Sequence, residues 1–368
     1  MGTPEPMSSV SMLRVHARKL RLEDPHAPRS VVAVQVLGCD CPRGVGFRGA
    51  ARTGSVSFMT TMQDPTRGTN APFGRMLTAM VTPMAPDGTI DYDGVARLAS
   101  YLVDEMRNDG LVVSGTTGES PTTSDGDKTR LLGAVLEAVG DRATIVAGVG
   151  TNDTGHTKKL AMSAERAGAH GLLVVTPYYS KPPQEGIFAH FTAVADVTGL
   201  PVMLYDIPGR TGVPIATETL LRLAEHPRIV AVKDAKDDAG ATSIVRMARP
   251  DLAYYCGTDM LNLPWLSLGA VGFVSVVGHI VGDRLHEMID AYMTGDVERA
   301  RAIHYELVPV YTGIFRSQGV IMTKAALRML GLPGGRVLSP LADATPAEVE
   351  LLRTDLAAGG VKLPEGSA

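Results

Sequence analysis

The sequence is poor in the features that mark several classes of protein. It has three cysteines in 368 residues (Cys39, Cys41 and Cys256), too few and too badly placed for a disulfide framework. No apolar run reaches the roughly 18 residues that a membrane helix requires. A net charge of −4 gives no argument for nucleic acid or an anionic membrane as a partner. The remaining composition, 45% hydrophobic and 20% charged, is ordinary for a soluble globular enzyme, and we expect a reducing, cytoplasmic setting.

The first 61 residues differ from the rest of the chain. They carry eight Lys and Arg against four Asp and Glu, a charge of +4 that leaves −8 for the remainder, and they show little periodicity. The apolar run VVAVQVLGCDC (31–41) follows acidic residues, whereas a secretory signal needs a basic segment directly before it. We predict a disordered N-terminal extension over 1–72 and a native start at Met59 or Met62. A targeting segment and a metal site at the two nearby cysteines are the less favoured alternatives.

From residue 77 the chain repeats one pattern, in which a short apolar run is followed by turn residues and then by a helical segment. The runs are LTAMVTP (77–83), GLVVSG (110–115), TIVAGVG (144–150), GLLVVTP (171–177), PVMLYD (201–206), IVAVKD (229–234), AYYCGT (253–258) and GFVSVV (272–277). They start 19 to 34 residues apart, as strand–helix units do, and are continuously apolar, as parallel strands covered by helices are. Eight units predict an α/β fold, the (β/α)8 TIM barrel, with a doubly wound open sheet as the alternative.

Helical patterns lie between the runs and continue after the eighth. Two lie inside the repeat, at 92–106 and 217–226, and three follow it, at 296–315, 320–330 and 345–358. We therefore predict a catalytic barrel over 73–295 and a small C-terminal helical domain over 296–368. The simplest role for that domain is packing and subunit contact.

A lysine ends the sixth run, in the stretch RIVAVKDAK (228–236). Lys233 stands where the pattern calls for an apolar residue, and a buried ammonium is costly unless it is paired or loses its proton. Side chains alternate along a strand, so the adjacent Asp234 points to the other face. In this fold the active site forms at the carboxyl ends of the strands, and a desolvated neutral amine forms Schiff bases with carbonyl compounds. We predict that Lys233 is a nucleophile; the alternative is a lysine paired to a buried carboxylate.

Two other strand ends carry hydroxyl and aromatic side chains. GTTGES (115–120) offers backbone N–H groups and the hydroxyls of Thr116 and Thr117, which suit a small carboxylate or phosphate, although a plain turn explains the loop equally well. TPYYSKPP (176–183) places two tyrosines between prolines. This rigid aromatic step could be a surface or subunit contact, and one of its tyrosines could enter a neighbour's site.

The fifth strand end, LYDIPGRTG (204–212), completes a coherent site. The phenol of Tyr205 can donate or accept a proton, and Arg210 can hold a carboxylate with two hydrogen bonds. Alternatively, Tyr205 is a core tyrosine and Arg210 a solvated charge. Together with Lys233, these residues indicate an α-keto acid bound as an imine. The set lacks the carboxylate cluster of a metal-dependent aldolase and any dinucleotide fingerprint, so we expect no cofactor.

Four motifs match a known family in order and spacing. GTTGESPT, VVTPYYSKPP, LYDIPGRTG and VAVKDA resemble the dihydrodipicolinate synthase branch of the N-acetylneuraminate lyase superfamily, over about residues 75 to 360. The resemblance implies a lyase that condenses pyruvate with L-aspartate 4-semialdehyde to 4-hydroxy-tetrahydrodipicolinate, in lysine and diaminopimelate biosynthesis. It also implies a homotetramer, a dimer of dimers.

The resemblance assigns the covalent chemistry to four residues. Lys233 would form the Schiff base with the pyruvate carbonyl, and Tyr205 would donate and accept the proton. Thr116 and Tyr179 would complete a proton relay with Tyr205, and Tyr179 would come from the neighbouring subunit.

Three further residues are implied to bind the substrates. Thr117 would bind the pyruvate carboxylate, Val274 would lie against pyruvate, and Arg210 would receive the carboxylate of the semialdehyde. Neuraminate lyases typically have Ser-Thr at 116–117 and usually lack Tyr179, which favours the synthase over them. Another pyruvate-dependent Schiff-base aldolase is a further alternative. The intact residue set argues against a catalytically silent binding paralogue.

Two departures from the family pattern change the expectations. Thr258 stands where many members carry an acidic residue, which leaves the hydrogen bonding near the seventh strand open. Lysine-sensitive members have an acidic residue at the position of His156 and histidines at those of Asp125 and Lys128. We therefore predict weak or absent inhibition by lysine.

Overall fold

Eight parallel strands close into a barrel in the computed structural model, which describes residues 71–364. The strands are β1 Met76–Ala79, β2 Gly110–Val113, β3 Thr144–Gly148, β4 Gly171–Val175, β5 Val202–Asp206, β6 Ile229–Asp234, β7 Ala253–Cys256 and β8 Gly272–Ser275. Each strand pairs with the next along the chain, and β8 pairs with β1. The (β/α)8 prediction is confirmed, and the open-sheet alternative is wrong. The extension expected over 1–72, its alternatives and the start at Met59 or Met62 lie outside the described residues, apart from residues 71 and 72.

Helices surround the barrel and continue beyond it. Those of the barrel are α1 Tyr92–Ser100, α2 Asp125–Val139, α3 Thr154–Arg166, α4 Gln184–Ala195, α5 Pro208–Thr211, α6 Thr217–Leu223, α7 Ala239–Ala248, α8 Asn262–Ser267 and α9 Gly278–Met293. Those after it are α10 Val297–Ile314, α11 Gly319–Met329 and α12 Pro346–Ala358. A π-helical turn, Tyr101–Glu105, extends α1 to nearly the full predicted span. No helix within residues 71–364 is long and apolar enough to cross a membrane.

The strands are apolar along most of their length because both of their faces are buried. Alternate residues fill the barrel interior, among them Leu77, Val112, Val146, Leu173, Met203, Ala231 and Val274. The intervening residues pack against the helices in a second, larger cluster that also includes the inner faces of α10 to α12. This alternation fixes which polar residues at the strand ends face the barrel interior.

Most of the strands are shorter than the predicted apolar runs, and in the first run a side chain takes over a backbone hydrogen bond near the mouth. In the first run, Met80 still donates its backbone N–H to Val112, but Val81 donates to the ring nitrogen Nε2 of the buried His279 at 3.0 Å. The apolar run therefore continues past the strand, into residues that shape the mouth.

The three last helices lie where the sequence predicts them, within two residues at each end. The helix α10 packs against α9 and α12. The start of α12 is fixed by a reciprocal pair of hydrogen bonds, in which Thr345 and Glu348 cap each other's backbone N–H groups. The division into a barrel over 73–295 and a helical domain over 296–368 stays a prediction.

Candidate active site

A cavity of about 500 Å³ opens at the carboxyl ends of the strands, the end at which barrel enzymes place their active sites. The residues singled out in the sequence that line it are Thr116, Tyr205 and Arg210, together with Asp125, Lys128 and His156. The C-terminal part of the chain also contributes to the wall, through Gln318 and the pair Pro340–Leu341. The cavity is thus built from loops of the barrel and from the segments around α11.

Lys233 and Tyr205 are neighbours inside the barrel. They are directly paired in the register of β5 and β6, and both follow an inward-facing residue by two positions. Lys233 is 4% exposed, and its Nζ lies 4.2 Å from the centre of the Tyr205 ring. No carboxylate among residues 71–364 lies within ion-pairing distance of that nitrogen, so the alternative of a paired structural lysine is not what the structure has.

The residues that follow them, Asp206 and Asp234, point outward to the helices. Asp234 accepts hydrogen bonds from the Tyr254 hydroxyl at 2.9 Å and from the backbone N–H of Lys236 at 2.9 Å. Asp206 accepts from the backbone N–H of Ile215 at 3.1 Å and lies 3.5 Å from the ammonium of Lys236. Burial raises the pKa of Asp206 to about 6, and Lys236 opposes that rise only in part.

The loop after β2 is a compact turn held by its own backbone. Gly118 and Glu119 donate their N–H groups to the carbonyls of Gly115 and Thr116, at 3.1 Å each. The Thr82 hydroxyl donates to the carbonyl of Gly118 at 2.8 Å and ties the loop to the end of the first run. Thr116 lines the cavity as a result.

Two of the residues implied to bind pyruvate are buried near the cavity but do not line it. Thr117 is 7% exposed and sits in the loop just described. Val274 faces the barrel interior from β8 and is fully buried. Because neither side chain lines the cavity, the pyruvate-binding roles of both residues stay predictions.

The two tyrosines after β4 take different places. Tyr178 lines the cavity, although the sequence analysis assigned a role to Tyr179 only. Tyr179 is 89% exposed and does not reach the cavity of its own chain. Its backbone has φ = +71°, in the left-handed region that side chains other than glycine adopt rarely. The local fold thus holds an aromatic side chain away from its own barrel at some conformational cost.

Arg210 lies on α5, a single turn after β5 that ends at Gly212. Gly212 has φ = +77°, a left-handed conformation that favours glycine at the end of this turn. Arg210 is exposed, and none of the described carboxylates is paired with its guanidinium. A free guanidinium at the rim of a cavity suits an anionic substrate.

Two residues after β7, Gly257 and Thr258, have contacts that the sequence could not predict. Gly257 lies against Lys233: a Cβ there would be 3.0 Å from Cγ and Cε of that lysine. Nothing in the sequence distinguishes this glycine from the many other turn glycines. Thr258, left open above, donates its hydroxyl to Asp237 at 2.8 Å and so has a local structural partner.

Comparisons with known proteins identify relatives of this chain. The Dihydrodipicolinate synthetase family matches residues 72–358. A 4-hydroxy-tetrahydrodipicolinate synthase 2 of Streptomyces coelicolor is 64% identical over 299 residues, which cover 81% of this chain and 99% of that relative. The synthase of Acidothermus cellulolyticus is 66% identical over 302 residues, 82% of this chain and 96% of its own length.

A solved structure has the same architecture. The crystal structure of the enzyme from Cyanidioschyzon merolae with lysine bound is 40% identical and gives a TM-score of 0.78, over 80% of this chain and 100% of that one. The family match spans most of the chain and includes every residue of the site described above. The chain belongs to the Dihydrodipicolinate synthetase family.

Proposed function

We propose that this protein condenses pyruvate with L-aspartate 4-semialdehyde to 4-hydroxy-tetrahydrodipicolinate, through an imine on Lys233. The observation that carries the proposal is the position of Lys233: it is buried inside the barrel, faces Tyr205 and has no counter-carboxylate among the described residues. The names of the relatives support the same reaction. The reaction belongs to the biosynthesis of lysine and diaminopimelate.

The chemistry follows from the residues around that amine. Nζ of Lys233 adds to the pyruvate carbonyl carbon and water leaves, so an iminium forms. The iminium withdraws electrons, and a methyl proton of pyruvate becomes removable near neutral pH. The Tyr205 phenol moves that proton, and the resulting enamine attacks the aldehyde carbon. The amino group of the semialdehyde then displaces Lys233 and closes the ring.

The remaining residues bind and orient the substrates. Thr117 holds the pyruvate carboxylate, and Val274 lies against its carbon atoms. Arg210 receives the carboxylate of the semialdehyde, a role supported by its unpaired guanidinium at the cavity rim. Thr116 passes protons between Tyr205 and solvent, which its position in the cavity wall supports.

Borohydride trapping tests the covalent step. Reduction in the presence of pyruvate, followed by peptide mass spectrometry, should place the adduct on Lys233 and not on Lys236, the lysine three residues later whose ammonium faces Asp206. An adduct elsewhere, or none, contradicts the mechanism. A coupled assay with L-aspartate 4-semialdehyde and with N-acetylneuraminate then separates synthase from neuraminate lyase: turnover of the second substrate alone would overturn the proposal.

Tyr179 belongs to the site of a neighbouring subunit. Its 89% exposure and its left-handed backbone support this role, and it requires at least a dimer; we propose the homotetramer built from two such dimers. Tyr179→Phe and Tyr205→Phe should each be nearly inactive alone. Refolded mixtures of the two should regain activity, because a mixed dimer has one site with both tyrosines. A mixture no more active than its components would show that Tyr179 acts within its own chain or not at all.

Inhibition by lysine should be weak or absent. The three residues at the family's inhibitory site make other contacts here: His156 lies 2.8 Å from a carboxylate oxygen of Asp125, and Lys128 donates to the carbonyl of Thr123. Position 156 carries a histidine, so no acidic side chain stands there to receive a lysine ammonium. A titration of the assay with lysine should leave the rate unchanged to about 1 mM, a common affinity scale for metabolites. Inhibition below that concentration would refute the prediction.

A further inference from the structure

A buried ion pair connects the Thr116–Thr117 loop to the C-terminal helices. Lys324, on α11, is completely buried and donates from Nζ to Oε1 of Glu119 at 2.5 Å. Glu119 directly follows the turn that carries Thr116 and Thr117, and it is 2% exposed. Its backbone has φ = +58°, a left-handed conformation that is rare for a residue with a side chain.

Each partner of this pair makes a second hydrogen bond, to a segment that leads into the cavity wall. The other oxygen of Glu119, Oε2, accepts from the backbone N–H of Leu338 at 2.7 Å. Lys324 donates also to the carbonyl of Arg336 at 2.7 Å. The segment 336–338 continues towards Pro340 and Leu341, which line the same cavity as Thr116.

The carboxylate at 119 therefore accepts from two donors at once, one on each oxygen. An amide has only one acceptor oxygen, so a glutamine there can satisfy Lys324 or Leu338 but not both. Burial lowers the pKa of Lys324, and Glu119 opposes that effect. A buried ammonium that loses its carboxylate is costly, which makes the pair act as a unit.

We propose that Glu119 and Lys324 form a positioning pair that holds the Thr116 hydroxyl in the proton relay and closes the cavity wall from the C-terminal side. This inference rests on the proposed function, and it gives the C-terminal helices a role in catalysis beyond packing. Glu119 also lines the cavity, whereas Lys324 does not; both act on the relay through the loop and through segment 336–341.

The test separates imine formation from proton transfer. In deuterium oxide with pyruvate alone, the methyl protons should exchange for deuterium when both the imine and the relay work, and NMR follows that exchange. Glu119→Gln and Lys324→Met should each lower the exchange rate and kcat about tenfold or more, because a small displacement of a catalytic group has effects of this size. The borohydride adduct at Lys233 should still form in both variants.

The double variant Glu119→Gln/Lys324→Met guards against a folding defect, because it leaves no unpaired buried ammonium. Its kcat should fall no further than that of the more affected single variant, as expected for two residues that act as one unit. The matched control is Asp355→Asn, which breaks the pair of Asp355, on α12, with Arg316, just after α10. Neither residue lines the cavity. It should lower the melting temperature and leave the exchange rate unchanged.

Three outcomes would overturn the proposal. The folded variants could keep the wild-type exchange rate, the two effects on kcat could multiply in the double variant, or the Asp355→Asn control could lose exchange equally. Failure of the proposed function looks different, because the wild-type protein itself would then form no adduct and exchange no protons.

Discussion

The two faces of β5 and β6 carry adjacent polar residues that the fold treats differently. On the inner face, Lys233 lies beside the ring of Tyr205, with no carboxylate among the described residues to pair with it. On the outer face, Asp234 is engaged by a tyrosine hydroxyl and by backbone N–H groups, and Asp206 by a backbone N–H and a lysine. A buried polar group with satisfied partners supports the structure, whereas one left without them is available for chemistry.

The sharpest contrast comes from removing the inner lysine. Lys233→Met replaces a buried amine with an apolar side chain of similar length. It should lower activity by roughly 10³-fold or more, because no imine can form. It should leave the melting temperature unchanged or raise it, since a buried polar group without a carboxylate partner is replaced by an apolar side chain. Steady-state kinetics and a thermal melt measure the two effects; retained activity, or a marked loss of stability, would break the comparison.

The outer carboxylate should show the opposite pattern. Asp234→Ala leaves the hydroxyl of Tyr254 and the backbone N–H groups of Lys236 and Asp237 without their acceptor. We expect a loss of about 3–5 kcal/mol in the free energy of unfolding, since each buried unsatisfied group costs about 1–3 kcal/mol. Urea unfolding measures it. The kcat of the folded fraction should fall less than that of Lys233→Met, and an equal fall would show that the two faces are not separable.

The pH dependence of stability tests the outer face by a second route. The folded pKa of Asp206 is about 6, above its ordinary value of 3.8, because burial disfavours the charged form. The folded state therefore holds this proton more tightly than the unfolded state. The resulting stability is fully present below pH 3.8 and is lost as the pH rises through about 6. The change amounts to at most roughly 3 kcal/mol.

The variant Asp206→Asn isolates that contribution. Between about pH 4 and pH 6, rising pH should reduce the free energy of unfolding less in this variant than in wild type. Other groups titrate in the same range, since burial lowers the pKa of both His190 and His279 to about 4. Their contributions have the opposite sign and remain in the variant, so the difference between the two proteins reports Asp206. If the difference in the free energy of unfolding between wild type and Asp206→Asn stays constant across this range, the titration of Asp206 does not contribute to the pH dependence of stability.

The sequence predicts the barrel and the inward position of Lys233 because both depend on local patterns. Continuous apolar runs at strand–helix spacing require two buried faces, and the alternation of side chains then places Lys233 inside and Asp234 outside. The motif residues Thr116, Tyr205 and Arg210 lie at or just after the carboxyl ends of strands, so their convergence at one end of the barrel is a consequence of the topology.

Other parts of the site depend on contacts between distant segments, which no local pattern reveals. Glu119 and Lys324 are 205 positions apart, and neither stands out as one half of a pair in the sequence. Tyr179 is exposed and has a left-handed backbone conformation, and the residue types of its motif do not predict either feature. Gly257 is defined by its distance to a lysine on the adjacent strand, which can be measured only in the folded chain.

Gly257 gives the most delicate test of the comparison, because it lies between the two faces. A Cβ at this position would be 3.0 Å from Cγ and Cε of Lys233 and 3.0 Å from the carbonyl oxygen of Asp234. The backbone cannot yield easily, so Gly257→Ala should displace the lysine side chain and lower kcat about tenfold, with a smaller effect on stability. The matched control is Gly209→Ala, at the same end of the barrel, where an added Cβ meets no atom within 4 Å and kcat should not change. Equal kcat in the two variants would mean that a shift of the Lys233 side chain does not slow the reaction. A loss of kcat confined to Gly257→Ala would show that the reaction requires the space beside Lys233 to stay free of a side chain.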